Sequence, residues 1–410
     1  MKILYISDDF PPESFGGAGI IAYRDAIALQ REGHEIFVLT CVQDKKKVGI
    51  IKMENISIHR VYSKGGERWR QWRCIYNPRV LNDSKKIIRE INPDIIHLHN
   101  IHSHFSYSII SLCVKSCKKV FHTIHDLYSV YPGKLFPNND GEMRFGLYDL
   151  LRLSRFRFNP FRNILIRYMF RKLTRIFVVS HAVDKVLIEH KIENTEVLHN
   201  GIQIENTVLD EVHEEAFRAK YSLTNKRVIL FGGRISNAKG IGSAIETLNR
   251  LKDEYNDLVL LVVGKEDSIH DSVYSLLNKY NLKDRVIFTG WIDSIGMKIA
   301  MRISEFVLVL SLYLDPFPTI NLESFREKKP VIATKYGGSP EIVKNNINGF
   351  VVNPYDYDEV AGKCRLLLND HAMIEALGQN GYCDVIENFS ESKHIKYLES
   401  CYNRAYVFTE

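Results

Sequence analysis

A chain of 410 residues can form two domains, and its composition, 45% hydrophobic and 25% charged, is that of a folded globular protein. The formal net charge of +6 is small for this length and gives no reason to expect a nucleic-acid partner. The seven cysteines show neither zinc-binding nor disulfide spacing, and a reducing cytoplasm fits best.

No run of the sequence approaches the roughly 18 apolar residues of a membrane span. The apolar N-terminus is interrupted at Asp8 and Asp9, which is too early for a signal peptide. The expected location is therefore the cytoplasm or the inner face of the membrane, where any membrane contact would be peripheral.

The first half of the chain alternates short apolar segments with helical patterns. Such alternation predicts parallel strands with helices on both faces of the sheet. Asn200-Gly201 is typical of a turn and ends this first series. Strands are predicted at 2–7, 34–40, 94–99, 120–125 and 175–180, and a helix at 19–32.

A glycine-rich segment containing Gly16 and Gly17 follows the first predicted strand. Gly17, Gly19 and Ala22 match the G-x-G-x-x-A fingerprint, which would indicate an NAD-dependent oxidoreductase. That fingerprint should begin directly at the strand end, and an acidic residue should close the second strand. Neither holds here, so a glycine loop that faces a ligand cleft is the better interpretation.

Histidines are concentrated where two predicted strands end. His97, His99, His102 and His104 lie within eight residues, and His125 ends the next strand. A metal site is one interpretation, but no nearby carboxylate or cysteine completes a ligand set, so polar residues lining a cleft are preferred. For His125, a polar contact or proton carrier in the cleft and a core histidine bonded to backbone both fit.

Two segments combine basic and aromatic residues. Residues 68–73 read Arg-Trp-Arg-Gln-Trp-Arg, and residues 152–175 contain seven arginines and one lysine among Phe, Leu, Ile and Tyr. The second segment fits a surface that rests on anionic lipid, which would suit a lipid-linked substrate. A solvated helix face explains the same pattern equally well.

The alternation of strands and helices restarts after a polar linker at 202–226. We therefore predict a first domain at 1–203 and a second at 204–389, with the last helix, about 390–410, packed back on the first. The two helices predicted near the C-terminus, 373–389 and 391–406, are long enough for this crossing. Strands are predicted at 227–233, 258–264, 285–290, 306–310 and 330–334, and helices at 241–254 and 271–280.

Gly232, Gly233 and Gly240 enclose a basic loop between a strand and a helix. Glycines let the backbone approach a ligand closely, and a helix N-terminus favours phosphate. Arg234 and Lys239 add the fixed positive charge that a departing nucleoside diphosphate needs when no metal neutralises it. The alternative is a basic surface loop.

Two carboxylates, Asp315 and Glu323, follow the predicted strand 306–310. With Pro318 at the first helical position, one acid would lie in the strand-exit loop and the other one turn into the helix. Free amides and two carboxylates fit a ligand that has phosphate and sugar hydroxyls. Alternatively, Asp315 caps the helix and Glu323 is solvated. The anion donors would be the amides of Thr319, Ile320 and Asn321.

In this order the motifs resemble the GT-B fold glycosyltransferases of family 4, the retaining group 1 transferases. The resemblance covers nearly the whole chain and includes Asn200-Gly201, Gly337-Gly-Ser-Pro-Glu341 and Asn348-Gly-Phe-Val-Val. It implies an α/β fold with two doubly wound, Rossmann-like domains facing a central cleft. The first domain would hold the acceptor and the second the nucleotide-sugar donor, with no metal or other cofactor.

The resemblance also implies a role for each matching residue. Residues matching Arg234 and Lys239 bind the diphosphate, and Glu323 and Asp315 match acids that bind the ribose and the transferred sugar. Gly16 and Gly17 match glycines that approach the phosphates, and His125 matches a histidine that positions the sugar. Trp291 and Ile292 match residues that border the nucleobase. The chain departs from the family pattern at Asp315, where Glu is usual, at Pro318, where Gly is common, and at Glu327-Lys-Lys.

The expected function is metal-independent, retaining transfer of a hexose from a nucleoside-diphosphate sugar to a hydroxyl group. The acceptor would be a glycan or lipid-linked glycan in surface polysaccharide biosynthesis. A catalytically silent nucleotide-sugar-binding subunit is the main alternative, since fold does not guarantee activity. An NAD-dependent oxidoreductase is the other, although it leaves the pairs Arg234–Lys239 and Asp315–Glu323 unexplained.

Overall fold

The computed structural model describes residues 1–13, 16–66, 69–138, 141–143, 159–204, 210–232, 235–264 and 271–404. The chain forms two compact units. The first comprises Met1–Lys134, Arg144–Gly201 and Glu391–Glu410, and the second Leu135–Met143 and Ile202–Ser390. No sequence pattern indicated that Leu135–Met143 belongs with the second unit.

The described residues of the first unit form an eight-stranded sheet in the order β3-β4-β2-β1-β5-β6-β7-β8. All neighbouring strands are parallel except β3 and β4, an antiparallel hairpin at the edge that the sequence analysis missed. The strands are β1 (Lys2–Ser7), β2 (Glu35–Val42), β3 (Gly49–Met53), β4 (Ile56–Tyr62), β5 (Ile95–Leu98), β6 (Val120–Ile124), β7 (Arg175–Val178) and β8 (Thr195–Val197).

The central strands β1, β5 and β6 are buried along almost their whole length, as expected where helices cover both faces of a sheet. Because the chain leaves β1 for β2 on one side and reaches β5 on the other, the β1–β5 boundary is the topological switch point. The helices are α1 (Gly17–Arg31), α2 (Arg70–Arg73), α3 (Pro78–Ile91), α4 (Ile109–Ser116), α5 (Arg162–Phe170) and α6 (His181–Glu189).

The second unit contains a parallel sheet in the order β11-β10-β9-β12-β13-β14 among its described residues. This is the strand order of a dinucleotide-binding fold, with the switch point between β9 and β12. The strands are β9 (Arg227–Phe231), β10 (Leu258–Val262), β11 (Val286–Phe288), β12 (Phe306–Val309), β13 (Val331–Thr334) and β14 (Gly349–Val352).

One helix of the second unit precedes β9, and the others lie between the strands or after them, as a doubly wound fold requires. They are α7 (Glu211–Lys220), α8 (Ile241–Leu251), α9 (Asp271–Tyr280), α10 (Ser294–Arg302), α11 (Ile320–Arg326), α12 (Ser339–Ile342), α13 (Tyr357–Asn369) and α14 (His371–Asn388). The predicted fold class, α/β with two doubly wound domains, is confirmed.

The last helix, α15 (Glu391–Asn403), completes the hydrophobic core of the first unit. Leu398 and Tyr402 are fully buried, and the Tyr402 ring lies 5.1 Å from that of Phe121 in β6. Phe121 in turn stacks on Phe177 in β7, 5.7 Å away. The C-terminal helix therefore belongs to the first unit, together with the N-terminal part of the chain.

Candidate active site

Lys239 and Asp315 meet at the switch point of the second unit. Lys239 ends a 3-10 turn (Asn237–Lys239) after β9, and Asp315 follows β12, the neighbouring strand. The Lys239 Nζ lies 2.5 Å from Asp315 Oδ2. Ser311 Oγ donates to the same oxygen at 2.7 Å, and the Tyr313 hydroxyl donates to Oδ1 at 3.3 Å. The Asp315 carboxylate, 4% exposed, is thus held by one cation and two hydroxyls.

Two glycines allow the main chain to close around this pair. Gly240 has φ of +85°, and a Cβ there would lie 2.0 Å from the carbonyl oxygen of Leu310. Gly337 has φ of +77°, and its Cβ would lie 2.1 Å from the carbonyl oxygen of Asp315. Only glycine fits such left-handed, tightly packed positions. These glycines bring the loops after β9 and β13 against the end of β12.

Helix α11 begins later than predicted. Pro318 lies two residues before its first residue, Ile320, and Thr319 is the N-cap without a side-chain capping bond. The interpretation of Asp315 as the helix cap is therefore wrong. The Asn321 amide donates to the Pro318 carbonyl at 3.1 Å, so its predicted role as a free anion donor is corrected. The amides of Thr319 and Ile320 are left for that role.

The other predicted residues of α11 differ in their surroundings. Glu323 lies in the first turn, half-buried. Asn321 is fully buried, and its Nδ2 donates to Ser339 Oγ at 3.2 Å. The Asn321 Oδ1 has no hydrogen-bond partner within the described part of the chain. The side chain of Asn321 therefore positions α11 against α12, whereas Glu323 is the one accessible to a ligand.

Trp291 and Ile292 lie between β11 and α10. Trp291 is 71% exposed, the most exposed aromatic ring among the described large hydrophobic side chains. Ile292 is half-buried and packs beside Gly296 in the first turn of α10. Asp293 caps that helix by accepting from the Gly296 amide at 2.7 Å. The Trp291 indole is thus free to contact a flat ligand at the carboxyl end of β11.

Arg234 and Gly233 lie outside the described residues, so the structure places neither. The loop containing them starts at Gly232, where a Cβ would lie 2.9 Å from Ile320 Cγ1. That glycine therefore passes directly against the beginning of α11, on the same edge of the sheet as Lys239.

The segment Leu135–Met143 was not predicted to belong to this site. Leu135 is buried, and its carbonyl accepts from the Leu314 amide at 2.8 Å, one residue before Asp315. The Phe136 ring lies 6.0 Å from that of Tyr313, which bonds Asp315. No local signal marks this contact, because it joins residues far apart in the chain.

In the first unit, His125 follows β6 and pairs with His99, which follows β5. The His99 Nδ1 lies 2.9 Å from His125 Nε2, and the two rings are nearly parallel, with their centroids 5.1 Å apart. Burial lowers the pKa of His125 to about 4 and that of His99 well below its usual range. Both rings are therefore neutral at neutral pH. The partner of His125 is another imidazole rather than the backbone that one interpretation expected.

The neighbouring histidines are held by other groups. His97 contacts Thr123 Oγ1 at 2.7 Å and the Tyr402 hydroxyl at 2.5 Å, so both of its ring nitrogens are engaged. His122 Nε2 donates to the His99 carbonyl at 3.0 Å. These bonds fix the strand ends beneath the His99–His125 pair.

Two aspartates organise the loops around this pair: Asp126, which directly follows His125, and Asp8, which was not singled out as a site residue. Asp8, buried at the end of β1, accepts from the amides of Ser103, His104 and Phe105 at 2.6 to 3.0 Å. Asp126 accepts from His102 Nε2 at 3.0 Å. The position of Asp8 in the sequence could have identified it, because this acid directly follows β1, at the switch point of the sheet.

Gly16 and Gly17 form the start of α1, with Gly16 as N-cap. A Cβ at Gly17 would have nothing within 4 Å, so open space lies beside it. At Gly19 a Cβ would lie 2.7 Å from the Asp9 carbonyl oxygen, so packing requires glycine there. Helix α1 begins ten residues beyond Ser7, which ends β1, so the dinucleotide fingerprint is misplaced in the structure too.

Comparison with known proteins identifies the class. Residues 15–206 match the family model Glycosyltransferase Family 4, and residues 213–384 match Glycosyl transferases group 1. An uncharacterized glycosyltransferase of Methanocaldococcus jannaschii is 23% identical over 95% of each chain. A capsular polysaccharide biosynthesis glycosyltransferase of Staphylococcus aureus is 31% identical over 50% of this chain and 53% of its own length.

Solved structures share the fold over the whole chain. A sucrose-phosphate synthase from Thermosynechococcus elongatus has a TM-score of 0.77 at 21% identity, covering 98% of both chains. The Anabaena protein HepE in complex with UDP-glucose has a TM-score of 0.73 at 17% identity, also covering 98% of both. The chain belongs to the group 1, family 4 glycosyltransferases and has the GT-B fold.

Proposed function

We propose that this glycosyltransferase moves a hexose from a nucleoside-diphosphate sugar to an acceptor hydroxyl, with retention of configuration and without a metal ion. The observation that carries the proposal is the Lys239–Asp315 pair at the switch point of the second unit. A cation for phosphate and a buried carboxylate for sugar hydroxyls lie side by side where such folds bind nucleotides.

The Lys239 ammonium has three N–H donors, and its hydrogen bond to Asp315 uses one of them. When a donor binds, Lys239 would keep its bond to Asp315 and donate to the diphosphate as well. Arg234 would supply the second positive charge. Together with the amides of Thr319 and Ile320, these groups would stabilise the charge that develops on the leaving diphosphate.

The remaining contacts would orient the donor. Glu323 would accept from ribose hydroxyls, the exposed Trp291 and its neighbour Ile292 would border the base, and Gly16 and Gly17 would let backbone amides approach the phosphates. His125, neutral because of its low pKa, would donate its one N–H to a sugar hydroxyl.

In the reaction the bond between the anomeric carbon and the diphosphate oxygen breaks with oxocarbenium character. The acceptor oxygen bonds to that carbon on the same face, and its proton passes to a diphosphate oxygen. Lys239, Arg234 and the amides would stabilise the negative charge of the departing diphosphate. Because a diphosphate oxygen takes the proton, the reaction needs no protein side chain as a base.

For the acceptor we propose a glycan or lipid-linked glycan of surface polysaccharide synthesis, handled at the inner face of the membrane. The capsular polysaccharide relative supports this choice. None of the described helices combines the length and apolar character needed to span a bilayer. The predicted contact at 152–175 is described only from residue 159 onward.

Thermal shift with UDP, GDP, ADP, CMP and NAD, each with EDTA, tests the donor proposal. A ligand at 100 times its dissociation constant stabilises by about 2.7 kcal/mol, a readable shift. We expect one diphosphate to respond without metal, and Lys239→Ala to respond to it more weakly. A response to NAD alone would overturn the proposal. Binding without transfer or donor hydrolysis would instead support the catalytically silent subunit.

A further inference from the structure

Two helical segments of the first unit expose apolar side chains to solvent in a regular pattern. Trp69 and Trp72, three residues apart at α2, are 60% and 50% exposed. On α5 the exposed set recurs at the spacing of one helix face. It consists of Phe161, Ile164, Leu165 and Tyr168.

Helix α5 is apolar on both sides. Its inner face buries Ile166, Met169 and Phe170 in the unit, while Phe161 and Tyr168 on the outer face are 62% and 59% exposed. A surface helix of a water-soluble unit normally carries polar residues on its outer face. Large apolar side chains exposed together on one helix face indicate an interaction site.

The two segments are neighbours, although about 90 residues separate them in the sequence. The Tyr128 ring lies between them: the Arg70 guanidinium of α2 is 4.4 Å from its centroid, and the Arg162 guanidinium of α5 is 4.9 Å from it. Arg162, 2% exposed, also donates to the Tyr128 carbonyl. The two basic-aromatic segments of the sequence are therefore neighbours in the fold, and their exposed residues are together called the α2–α5 surface here.

The charged residues of the two segments are all basic. Arg73 and Lys172 are half-buried and Arg171 is exposed, all beside the aromatic residues. The Lys172 ammonium lies 4.2 Å from the Tyr168 ring centroid. Residues 69–82 and 159–183 contain no Asp or Glu. Cations thus flank the apolar side chains, and neither segment supplies an acid to neutralise them.

We propose that the α2–α5 surface docks on an anionic lipid bilayer. Tryptophan and tyrosine prefer the boundary between headgroups and acyl chains, and basic side chains are attracted by anionic headgroups. A protein partner of acidic character would satisfy the cations but leave four large exposed side chains of α5 to match, whereas a bilayer accommodates both. The inference concerns the partner of the first unit and does not depend on the donor chemistry.

Vesicle sedimentation tests the proposal. We expect the protein to bind phosphatidylglycerol–phosphatidylcholine vesicles, and pure phosphatidylcholine vesicles much more weakly. The apolar variant Trp72→Gln/Ile164→Gln/Tyr168→Gln should lose at least about tenfold in affinity, since binding scales with inserted apolar area. The charge variant Arg171→Gln/Lys172→Gln should lose roughly 30-fold, from about 1 kcal/mol per basic residue near the surface.

Matched controls exist elsewhere on the chain. Ile50→Gln/Val212→Gln removes side chains that are 63% and 69% exposed, one on the edge strand β3 and one in the second unit. Lys45→Gln/Lys46→Gln removes the same charge in a 3-10 turn next to β3. Both should bind vesicles like the wild type. Thermal shift with the responding nucleoside diphosphate should be unchanged in all four variants, which shows that they are folded.

Tryptophan emission gives a second measurement, because Trp69 and Trp72 are two of the three tryptophans. In a Trp291→Phe background, anionic vesicles should shift the emission to the blue, and brominated acyl chains should quench it.

Equal vesicle binding by the apolar variant and the wild type would overturn the proposal. So would a wild-type dimer that the apolar variant converts to a monomer, since the surface would then join two copies. Vesicle binding without any nucleotide response would sink the proposed function but leave this inference standing.

Discussion

His99 and His125 form a hydrogen bond between two neutral, nearly parallel imidazoles, with Nδ1 of His99 2.9 Å from Nε2 of His125. The Nε2 of His99 is buried and has no hydrogen-bond partner within the described ranges. Because buried N–H groups are rarely left without an acceptor, the proton of His99 belongs on Nδ1. His125 then accepts at Nε2 and carries its own proton on Nδ1, the nitrogen that remains for a ligand.

The buried histidines His125 and His122 predict that the stability of the protein depends on pH. Burial lowers the pKa of His125 to about 4 and that of His122 to about 3, whereas both titrate near 6.5 in the unfolded chain. Between these values the unfolded state binds more protons, so the free energy of unfolding rises with pH. We expect stability to fall below about pH 6.5, by up to about 1.4 kcal/mol per pH unit for each such histidine.

Urea unfolding at several pH values measures this slope. Replacing His125 by Gln keeps a polar side chain but removes one titrating group, so the slope should decrease by about one proton. An identical slope in the variant would show that His125 does not stay neutral in the folded state.

Lys239 is predicted to act mainly in the transition state. Lys239→Ala should lower kcat by about 10²–10³, the usual cost of removing one electrostatic stabiliser. Lys239→Arg keeps the charge and is the matched control, with a smaller loss. Because the alanine variant leaves the Asp315 carboxylate buried without its cation, thermal melts should accompany the rate measurement. Near wild-type kcat at saturating donor would remove Lys239 from the mechanism.

Asp315 is predicted to position the sugar rather than the nucleotide. Asp315→Ala should therefore lower the transfer rate while the affinity for the free nucleoside diphosphate stays largely intact. Calorimetric titration with the diphosphate that stabilises the wild type, beside a rate assay, separates the two effects. Equal losses in both would contradict the assignment.

The elements could be predicted where the pattern is local. Strand 2–7 and helix 271–280 coincide with β1 and α9 in the structure, since a buried apolar run and an amphipathic period are visible within a few residues. The hairpin of β3 and β4 was missed, and it turns through Glu54 and Asn55, both with positive φ. Asn is common in such turns, but Glu is a weak turn signal.

The candidate site was predictable in its residues but not in its contacts. Lys239 and Asp315 lie in the loops that follow two neighbouring strands, β9 and β12, so the strand order brings them together once the sheet is known. The bond between Leu314 and Leu135 joins residues 179 positions apart in the sequence and follows from no periodicity. The amide of Asn321 is occupied by the Pro318 carbonyl, and α11 starts two residues later than Pro318 suggested.

Gly17 and Gly19 should respond differently to substitution by alanine, although both lie in the first turn of α1. Gly19→Ala would force a Cβ against the Asp9 carbonyl and should destabilise by about 1–3 kcal/mol. Gly17→Ala meets nothing and should change stability by less than about 1 kcal/mol. If backbone at Gly17 approaches the donor phosphates, its variant should still lose transfer rate. Thermal melts and rate assays of the two variants check this, and unchanged transfer by Gly17→Ala would remove it from the donor site.

The last helix should stabilise the first unit through its buried side chains. Leu398 is fully buried in the core that α15 shares with α1 and the sheet, so Leu398→Ala should cost about 2–5 kcal/mol. Lys396, exposed two residues earlier, is the control, and Lys396→Ala should stay within about 0.5 kcal/mol of the wild type. Urea unfolding of both variants gives the comparison. Equal stability of the two variants would show that the packing of α15 on the first unit contributes little to the free energy of unfolding, including the burial of Tyr402 against Phe121.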